Sequence, residues 1–206
     1  MMIKKRHLEI VLQSIPTFNN PRADLEQYKT PAIIAADILW NAHVLGDIGG
    51  LKVVDLGCGT GIFSIGAALL GAREVVGVDI DQSAIEIARK EASSRDMDEV
   101  ATFVVNDILE FNDKGDTVIQ NPPFGAQKTH HKEADRNFIE KSMEVAPVVY
   151  SFHIAETLDF VTEYFKINGG QITHTFKYKF PIPRTYEFHV KEKVMVHVVV
   201  VRVQKE

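Results

Sequence analysis

The residues with the clearest chemical potential are Asn121, Pro122, Pro123 and Phe124, which follow the apolar run DTVIQ. The amide oxygen of Asn121 and the backbone carbonyl of Pro122 can accept the two hydrogens of an amine, such as the exocyclic amine of adenine. The two prolines fix φ and restrict the residues before them, so both acceptors are preset. Phe124 offers a ring on which a base can stack. This pattern is typical of amine methylation, and the alternative is a proline-rich turn that only ends a strand.

A glycine-rich loop, DLGCGTG, follows an earlier apolar run. Gly57, Gly59 and Gly61 allow sharp turns and a close approach of a ligand to the backbone, and Asp55 precedes them. Dinucleotide-binding loops need a glycine or alanine where this sequence has Ile62. A nucleoside without phosphates fits the spacing better, and S-adenosylmethionine is such a ligand. The alternative is a glycine turn that serves only helix–strand packing.

Acidic residues end the next two apolar runs. Asp79 lies about 20 residues after the glycines, where a carboxylate accepts hydrogen bonds from both hydroxyls of a ribose. Asp107 either accepts from the exocyclic amine of the cofactor's adenine or forms an Asx turn. Asp81 is expected to N-cap the following helix, and Thr30 to N-cap a helix that starts at Pro31.

The chain has 206 residues, 45% of them hydrophobic, and a formal net charge of -5. This composition is typical of one globular domain and argues against binding of nucleic acid by bulk charge. From Gly170 onward, however, the sequence has seven Lys/Arg and only three Glu, which permits a basic surface on an otherwise acidic protein. The single cysteine, Cys58, excludes an internal disulfide and a cysteine-based zinc site and suits the cytoplasm. No apolar run is long enough to span a membrane, and no metal site is predicted.

Apolar periodicity predicts an alternation of strands and helices. Strands are expected over 51–57, 74–80, 100–107, 116–121, 147–154, 171–180 and 194–203. Helices are expected over 7–15, 31–45, 61–71, 81–94, 133–146 and 155–169. The fold class is therefore α/β and Rossmann-like, with a seven-stranded, mostly parallel sheet, helices on both faces and extra helices at the N-terminus. One of the last two strands should run antiparallel near the edge, because no helix separates them. We expect a single domain, with a helical cap at 1–48 and the Rossmann-like core at 49–206.

The stretches LEQYKTP, DLGCGTGIFSIGAALLGA, VVGVDID, DTVIQNPPFGAQ and YEFH resemble the methyltransferase-like protein 5 family and its archaeal members. The resemblance extends from about Leu25 to Val203. It implies a class I methyltransferase that uses S-adenosylmethionine to methylate N6 of an adenosine in small-subunit ribosomal RNA. It also implies cofactor contacts from eight residues: Gln27, Thr30, Gly57, Thr60, Ile62, Asp79, Asp107 and Ile108. We add their neighbours in the loop and after the second strand, Asp55, Gly59, Gly61 and Ile80.

Candidate substrate-binding residues lie beside the Asn-Pro-Pro-Phe corner and in the basic, aromatic segment 176–193. They are Phe124, Lys128, Lys179, Arg184, Tyr186 and His189. The alternative for this segment is an edge hairpin with ordinary solvated lysines. The resemblance also implies a possible partner, a small zinc-binding activator protein that extends the sheet at an edge strand.

Three other functions share some of these features. A protein glutamine N5-methyltransferase of the release-factor type uses the same chemistry, but such enzymes usually have tyrosine where this chain has Phe124. A DNA adenine methyltransferase is the next alternative. A non-catalytic scaffold would have no need to keep Asp79 and Asn121 together.

Overall fold

A computed structural model describes residues 3–124, 131–183 and 193–206. Seven strands form one sheet in the order β3-β2-β1-β4-β5-β7-β6. The strands are β1 Lys52–Leu56, β2 Glu74–Asp79, β3 Ala101–Val105, β4 Thr117–Gln120, β5 Val148–Ile154, β6 Gly170–Pro183 and β7 Lys193–Lys205. The predicted α/β architecture with seven strands is therefore confirmed.

Strands β1 to β5 pair with their neighbours among themselves in parallel. Strand β7 is antiparallel to both of its neighbours, β5 and β6. This confirms the prediction of one antiparallel strand near the edge, which is second from the edge in the sheet. The chain places β2 on one side of β1 and β4 on the other, so the winding reverses at β1. In open α/β sheets, ligands bind at such a reversal, beyond the carboxyl ends of the strands.

Helices cover both faces of the sheet, as predicted. They are α1 Lys5–Ser14, α2 Ala32–Val44, α3 Ile62–Leu69, α4 Gln82–Ser93, α5 His131–Val145 and α6 Leu158–Ile167. The first four contribute to one hydrophobic cluster and the last two to another. Val53 belongs to the first cluster and Val54 to the second, because successive strand residues point to opposite faces. Burial on both faces explains why the strand sequences are continuously apolar.

The N-terminal helices are tied to the sheet by close packing and by a buried ion pair. A Cβ on Gly66 of α3 would lie 2.3 Å from Cδ1 of Leu39 of α2, so any larger residue would force the buried Leu39 side chain to move. After α2, the Asp47 carboxylate accepts hydrogen bonds from Tyr150 Oη at 2.6 Å and from Arg202 Nε at 2.7 Å. The segment before β1 is therefore anchored to β5 and β7.

Two helix starts test the predicted caps. The Asp81 side chain accepts from the Ser83 backbone N–H and caps α4, as predicted. The Thr30 prediction is wrong: α2 begins at Ala32, Pro31 occupies the N-cap position, and no side chain caps this helix. The Thr30 hydroxyl instead accepts a hydrogen bond from Asn121 Nδ2. In the described part of the chain, no helix is long and apolar enough to cross a membrane.

Candidate active site

A cleft of about 200 Å³ opens beyond the carboxyl ends of β1, β2 and β4. Its walls include ten of the twelve predicted cofactor residues: Gln27, Thr30, Gly57, Gly59, Thr60, Ile62, Asp79, Ile80, Asp107 and Ile108. Asn121 and Pro123 also line the cleft. Asp55 and Gly61 do not line it, nor do Pro122 and Phe124. The structure thus brings the glycine loop, Asp79, Asp107 and two residues of the Asn-Pro-Pro-Phe corner to one cleft.

The glycine loop needs its glycines for backbone conformation and for packing. Gly57, Gly59 and Gly61 have φ values of +70°, +53° and +86°, in the left-handed region that disfavours other residues. A Cβ on Gly59 would lie 2.9 Å from Cζ of Phe18, and one on Gly61 would lie 3.1 Å from Cβ of Ala88. The loop is therefore closely covered by neighbouring side chains, and it can turn tightly at the base of the cleft.

Asp55 lies beneath the loop and holds the start of α3. Its Oδ2 accepts hydrogen bonds from the backbone N–H of Ser64 at 2.9 Å and from the Ser64 hydroxyl at 2.6 Å. Burial raises the pKa of Asp55 to about 7. Within the described residues, Asp55 Oδ1 is buried without a hydrogen-bond partner. Asp55 supports the loop from below and does not face the cleft.

Asp79 joins the loop to the cleft wall. Its Oδ2 accepts from the Gly59 backbone N–H at 2.8 Å, and its Oδ1 accepts from the Asp81 backbone N–H at 2.9 Å. Burial raises the pKa of Asp79 above its usual value. An ionised carboxylate has about four acceptor positions, so two remain for donors in the cleft. This geometry suits recognition of a vicinal diol.

Gln27 fastens the segment before α2 across the cleft to the start of α4. Its Nε2 donates to Asp81 Oδ2 at 2.6 Å, and its Oε1 accepts from the Arg22 backbone N–H at 2.8 Å. Burial opposes ionisation of Asp81, but the hydrogen bonds from Gln27 and Ser83 lower its pKa overall. Gln27 lines the cleft while both ends of its side chain hold protein groups.

Asp107 and the isoleucines beside the acids form the far side of the cleft. Asp107 Oδ1 accepts from the Leu109 backbone N–H at 2.9 Å and caps a short 3₁₀ helix, Ile108–Glu110. The Asx alternative for Asp107 is therefore confirmed, and a contact with adenine stays a prediction for its second oxygen. Ile80, beside the cleft, is 54% exposed. Its exposure leaves apolar surface for a flat ring.

Asn121 begins the corner immediately after β4. Its Nδ2 donates to Thr30 Oγ1 at 3.1 Å. Among the described residues, its Oδ1 is buried without a hydrogen-bond partner. A buried acceptor with no partner costs about 1–3 kcal/mol, so such an atom in a cleft wall marks a place where a ligand can donate.

Phe124 ends the corner inside a cluster of three rings. Its ring centroid lies 5.6 Å from that of Tyr28 and 5.8 Å from that of Phe180, and Tyr28 and Phe180 are 5.7 Å apart. Phe180 is fully buried and belongs to β6, so the β6–β7 hairpin extends to the corner. The half-buried Phe124 ring is thus fixed by residues from the cap segment and the hairpin.

The strand that carries the corner is supported by buried polar groups. Gln120 Nε2 donates to Ser151 Oγ at 2.9 Å, and Ser151 Oγ lies 2.7 Å from His153 Nε2. Burial lowers the pKa of His153 to about 3, so this histidine is neutral at physiological pH. These contacts join the end of β4 to β5 and stiffen the corner from behind.

Sequence reasoning missed several cleft residues. Phe18, Tyr28, Phe63 and Phe138 all line the cleft, and the Phe138 ring lies 3.3 Å from where a Cβ on Gly57 would be. They come from a loop, the cap segment and two helices, so no spacing in the sequence relates them. Glu26 also lines the cleft, and its φ of +48° is a signal that only coordinates reveal.

The predicted substrate residues are only partly visible. Lys179 is exposed on β6 and pairs with His197 of β7, next to Phe180. Lys128, Arg184, Tyr186 and His189 lie outside the described residues. Of the predicted RNA-binding segment, the structure therefore describes the part that lies within β6 and the first residue of β7.

Comparison with known proteins identifies the family. Residues 38–146 match the family described as "Methyltransferase small domain". The chain is 44% identical over 214 residues to the uncharacterized protein MJ0284 from Methanocaldococcus jannaschii, covering 99% of this chain and 95% of the relative. It is 36% identical over 207 residues to the rRNA N(6)-adenosine-methyltransferase METTL5 of Danio rerio, covering 97% and 98% of the two chains.

The solved structures agree with this relationship. The fold matches the crystal structure of PH1948 from Pyrococcus horikoshii with a TM-score of 0.90 and 40% sequence identity, over 100% of this chain and 99% of the other. The resemblance to the methyltransferase-like protein 5 family is thereby confirmed. The chain belongs to the methyltransferase small domain family and to the family of the rRNA N(6)-adenosine-methyltransferase METTL5.

Proposed function

We propose that this protein transfers a methyl group from S-adenosylmethionine to N6 of an adenosine in ribosomal RNA, most specifically of the small subunit. The observation that carries the proposal is Asn121 Oδ1, a buried acceptor in the cleft wall without a partner among the described residues. The METTL5 relatives bear the name of this reaction, and the chain aligns with them over nearly its whole length.

The cleft suits S-adenosylmethionine in its acceptor groups, its apolar surface and its charge. Asp79 has acceptor positions for the ribose hydroxyls, Asp107 for the adenine amine, and Ile80 and Ile108 present apolar surface for the ring. Glu26, Asp79 and Asp107 line the cleft, whereas the Lys29 ammonium is directed to the carbonyls of Gln13 and Ile15. An acidic cleft favours a cationic ligand. Bound there, the cofactor supplies an electrophilic methyl group on a sulfonium.

The Asn-Pro-Pro-Phe corner then orients the nucleophile. The exocyclic nitrogen of adenine is a poor nucleophile because its lone pair is delocalised into the ring. Asn121 Oδ1 and the Pro122 carbonyl accept its two hydrogens and favour a pyramidal nitrogen whose lone pair faces the methyl group. Both acceptors are held in advance, by Thr30 and by the proline rings, so little reorganisation is needed during reaction. Since the nitrogen becomes acidic once methylated, no strong base is required.

The substrate side is built from the aromatic cluster and the hairpin. Phe124, fixed against Tyr28 and Phe180, supports a stacked adenine that is already unpaired or is flipped out of a helix. Lys177 and Lys179 are exposed on β6, on the face of the strand opposite to Phe180. With Lys128, Arg184, Tyr186 and His189 they would contact RNA backbone and bases, which gives an acidic protein a local site for RNA.

The small zinc-binding activator is part of the same proposal. The outer edge of β3 is the end of the sheet farthest from the hairpin, and Val104 and Val105 are 39% and 42% exposed there. Such an edge can pair with a strand of a partner. We place the protein in the cytoplasm, where its cysteine would stay reduced. We also treat the cap, 1–48, and the core, 49–206, as one domain, because Leu8 and Leu12 of α1 belong to the same cluster as the sheet residue Val53.

The experiment that tests the function is a substrate panel. The protein is incubated with methyl-labelled S-adenosylmethionine and, separately, ribosomal RNA lacking the modification, a release-factor peptide containing glutamine, and adenine-containing DNA. Digestion and mass spectrometry identify the labelled group. N6-methyladenosine in the RNA supports the proposal. Label only in the peptide or only in DNA would replace it with the corresponding alternative, and no transfer while RNA still binds would favour a scaffold.

A further inference from the structure

Thr30 lies where the cofactor wall meets the target corner. It is 5% exposed, immediately precedes Pro31 at the start of α2, and lines the cleft. Its hydroxyl is not used as a helix cap. Instead Oγ1 accepts the hydrogen bond from Asn121 Nδ2 at 3.1 Å, across 91 positions of sequence. One buried hydroxyl therefore joins the segment before α2 to the residue that follows β4.

The orientation of the Asn121 amide decides whether the corner can work. The two ends of an amide have nearly the same shape but opposite hydrogen-bonding character, since one accepts and the other donates. Only the accepting end can hold the hydrogens of an amine; the donating end would oppose them. With Nδ2 directed to Thr30, Oδ1 is left as the end without a partner among the described residues.

Nothing else among the described contacts of the Asn121 side chain defines this orientation. Ser151 and His153 support the strand before the corner. Their hydrogen bonds lead to the side chain of Gln120, one residue before Asn121, and do not contact the Asn121 amide. The prolines restrict backbone φ and leave the side chain of Asn121 free to rotate about its terminal torsion, which is broad for Asn. A hydroxyl can donate as well as accept; in the structure Thr30 Oγ1 accepts from Nδ2, and this bond is the described contact that holds the torsion in that orientation.

We propose that Thr30 is a positioning residue for Asn121: its hydroxyl holds the amide so that the accepting end faces the target amine. The inference rests on the proposed methyl transfer and extends it to a residue that the family resemblance implied only as a cofactor contact. The two roles have different consequences. A cofactor contact affects the affinity for S-adenosylmethionine, whereas a positioning residue affects turnover when both substrates are saturating.

The test compares Thr30→Val, which keeps the shape and removes the hydroxyl, with Thr30→Ser, which keeps the hydroxyl. We expect Thr30→Val to lose about 10- to 100-fold in turnover, as is typical of losing a group that orients a functional residue. Its dissociation constant for S-adenosylhomocysteine, measured by calorimetry, should stay within about two-fold of the parent's value. The substitution removes at most one neutral contact with the cofactor, away from the ribose. Thr30→Ser should restore most of the turnover. Retained calorimetric binding shows that the variant is folded.

A double variant and a spectroscopic readout complete the test. In an Asn121→Ala background, Thr30→Val should cause no further loss, because the residue through which Thr30 acts is gone. In ¹⁵N-labelled protein, the Asn121 side-chain amide hydrogens should exchange faster with solvent in Thr30→Val than in the parent. Normal turnover in Thr30→Val, an equal loss in both backgrounds, or unchanged exchange would overturn the proposal. A loss confined to cofactor affinity would do so as well.

The proposed function and this inference can fail separately. If the unaltered protein does not methylate RNA, the function fails on the substrate panel alone. The amide exchange and the calorimetry still report whether Thr30 orients Asn121, because neither measurement needs methyl transfer.

Discussion

Replacement of Asp79 by alanine tests the assignment of the ribose site. The Asp79 carboxylate already accepts from the backbone N–H groups of Gly59 and Asp81, at 2.8 and 2.9 Å, and is left with two acceptor positions. Two hydrogen bonds from ribose hydroxyls to a charged acceptor are worth about 1.5–3 kcal/mol each. Because 1.4 kcal/mol corresponds to ten-fold in affinity, Asp79→Ala should weaken binding of S-adenosylhomocysteine by about 100-fold or more.

The assay is isothermal titration calorimetry at pH 8, because burial raises the pKa of Asp79 and an alkaline buffer favours the ionised carboxylate. Loss of the bond to Gly59 could also loosen the loop, so adenosine and adenine serve as matched ligands. Adenosine carries the ribose and should lose most of its affinity, whereas adenine lacks it and should bind parent and variant alike. Equal losses for both ligands would show that the loop collapsed, and an unchanged affinity for S-adenosylhomocysteine would refute the ribose role.

Two further substitutions test the loop. Burial raises the pKa of Asp55 to about 7, so its protonation stabilises the fold fully below about pH 4, and this contribution is lost as pH rises to about 7. An asparagine side chain cannot ionise, so the free energy of unfolding of Asp55→Asn, measured in urea, should rise by up to about 4 kcal/mol relative to that of the parent between about pH 4 and about pH 7. A difference between the two proteins that does not change with pH would contradict a raised pKa of Asp55. At Gly59, φ is +53° and an added Cβ would lie 2.9 Å from Phe18. Gly59→Ala should therefore lose about 1–2 kcal/mol of stability and bind S-adenosylhomocysteine more weakly. A neutral effect on both stability and binding would show that the loop is not closely covered.

The architecture could be predicted because it depends on local patterns. Apolar runs bounded by glycines and acids predict the strands. Between these runs, apolar residues recur with the period of a helix, which predicts the helices. The consecutive final strands required one antiparallel partner, and β7 is that strand. The meeting of the glycine loop and Asn121 also followed from pattern, because the carboxyl ends of neighbouring parallel strands lie at one edge.

The remaining parts of the site depend on contacts between distant residues. Thr30 before Pro31 has the local pattern of an N-cap, but its hydroxyl pairs with Asn121, and only the fold brings these residues together. Phe138 reaches Gly57 from a helix whose sequence indicates nothing more than an amphipathic face. Asp55 has the sequence position of a cofactor residue, yet its carboxylate points to Ser64 beneath the loop. Side-chain direction after a strand is set by packing, which a single sequence does not display.

Orientation of the target amine depends most directly on the Asn121 amide as its acceptor. The decisive measurement is the single-turnover rate of N6-adenosine methylation in an RNA oligonucleotide, for the parent and for Asn121→Ala, with the affinity for S-adenosylhomocysteine measured in parallel. Loss of one preorganised hydrogen-bonding group typically costs about 10²–10³ in rate, so we predict a fall of that size with affinity nearly unchanged. A rate in Asn121→Ala equal to that of the parent would contradict the central claim.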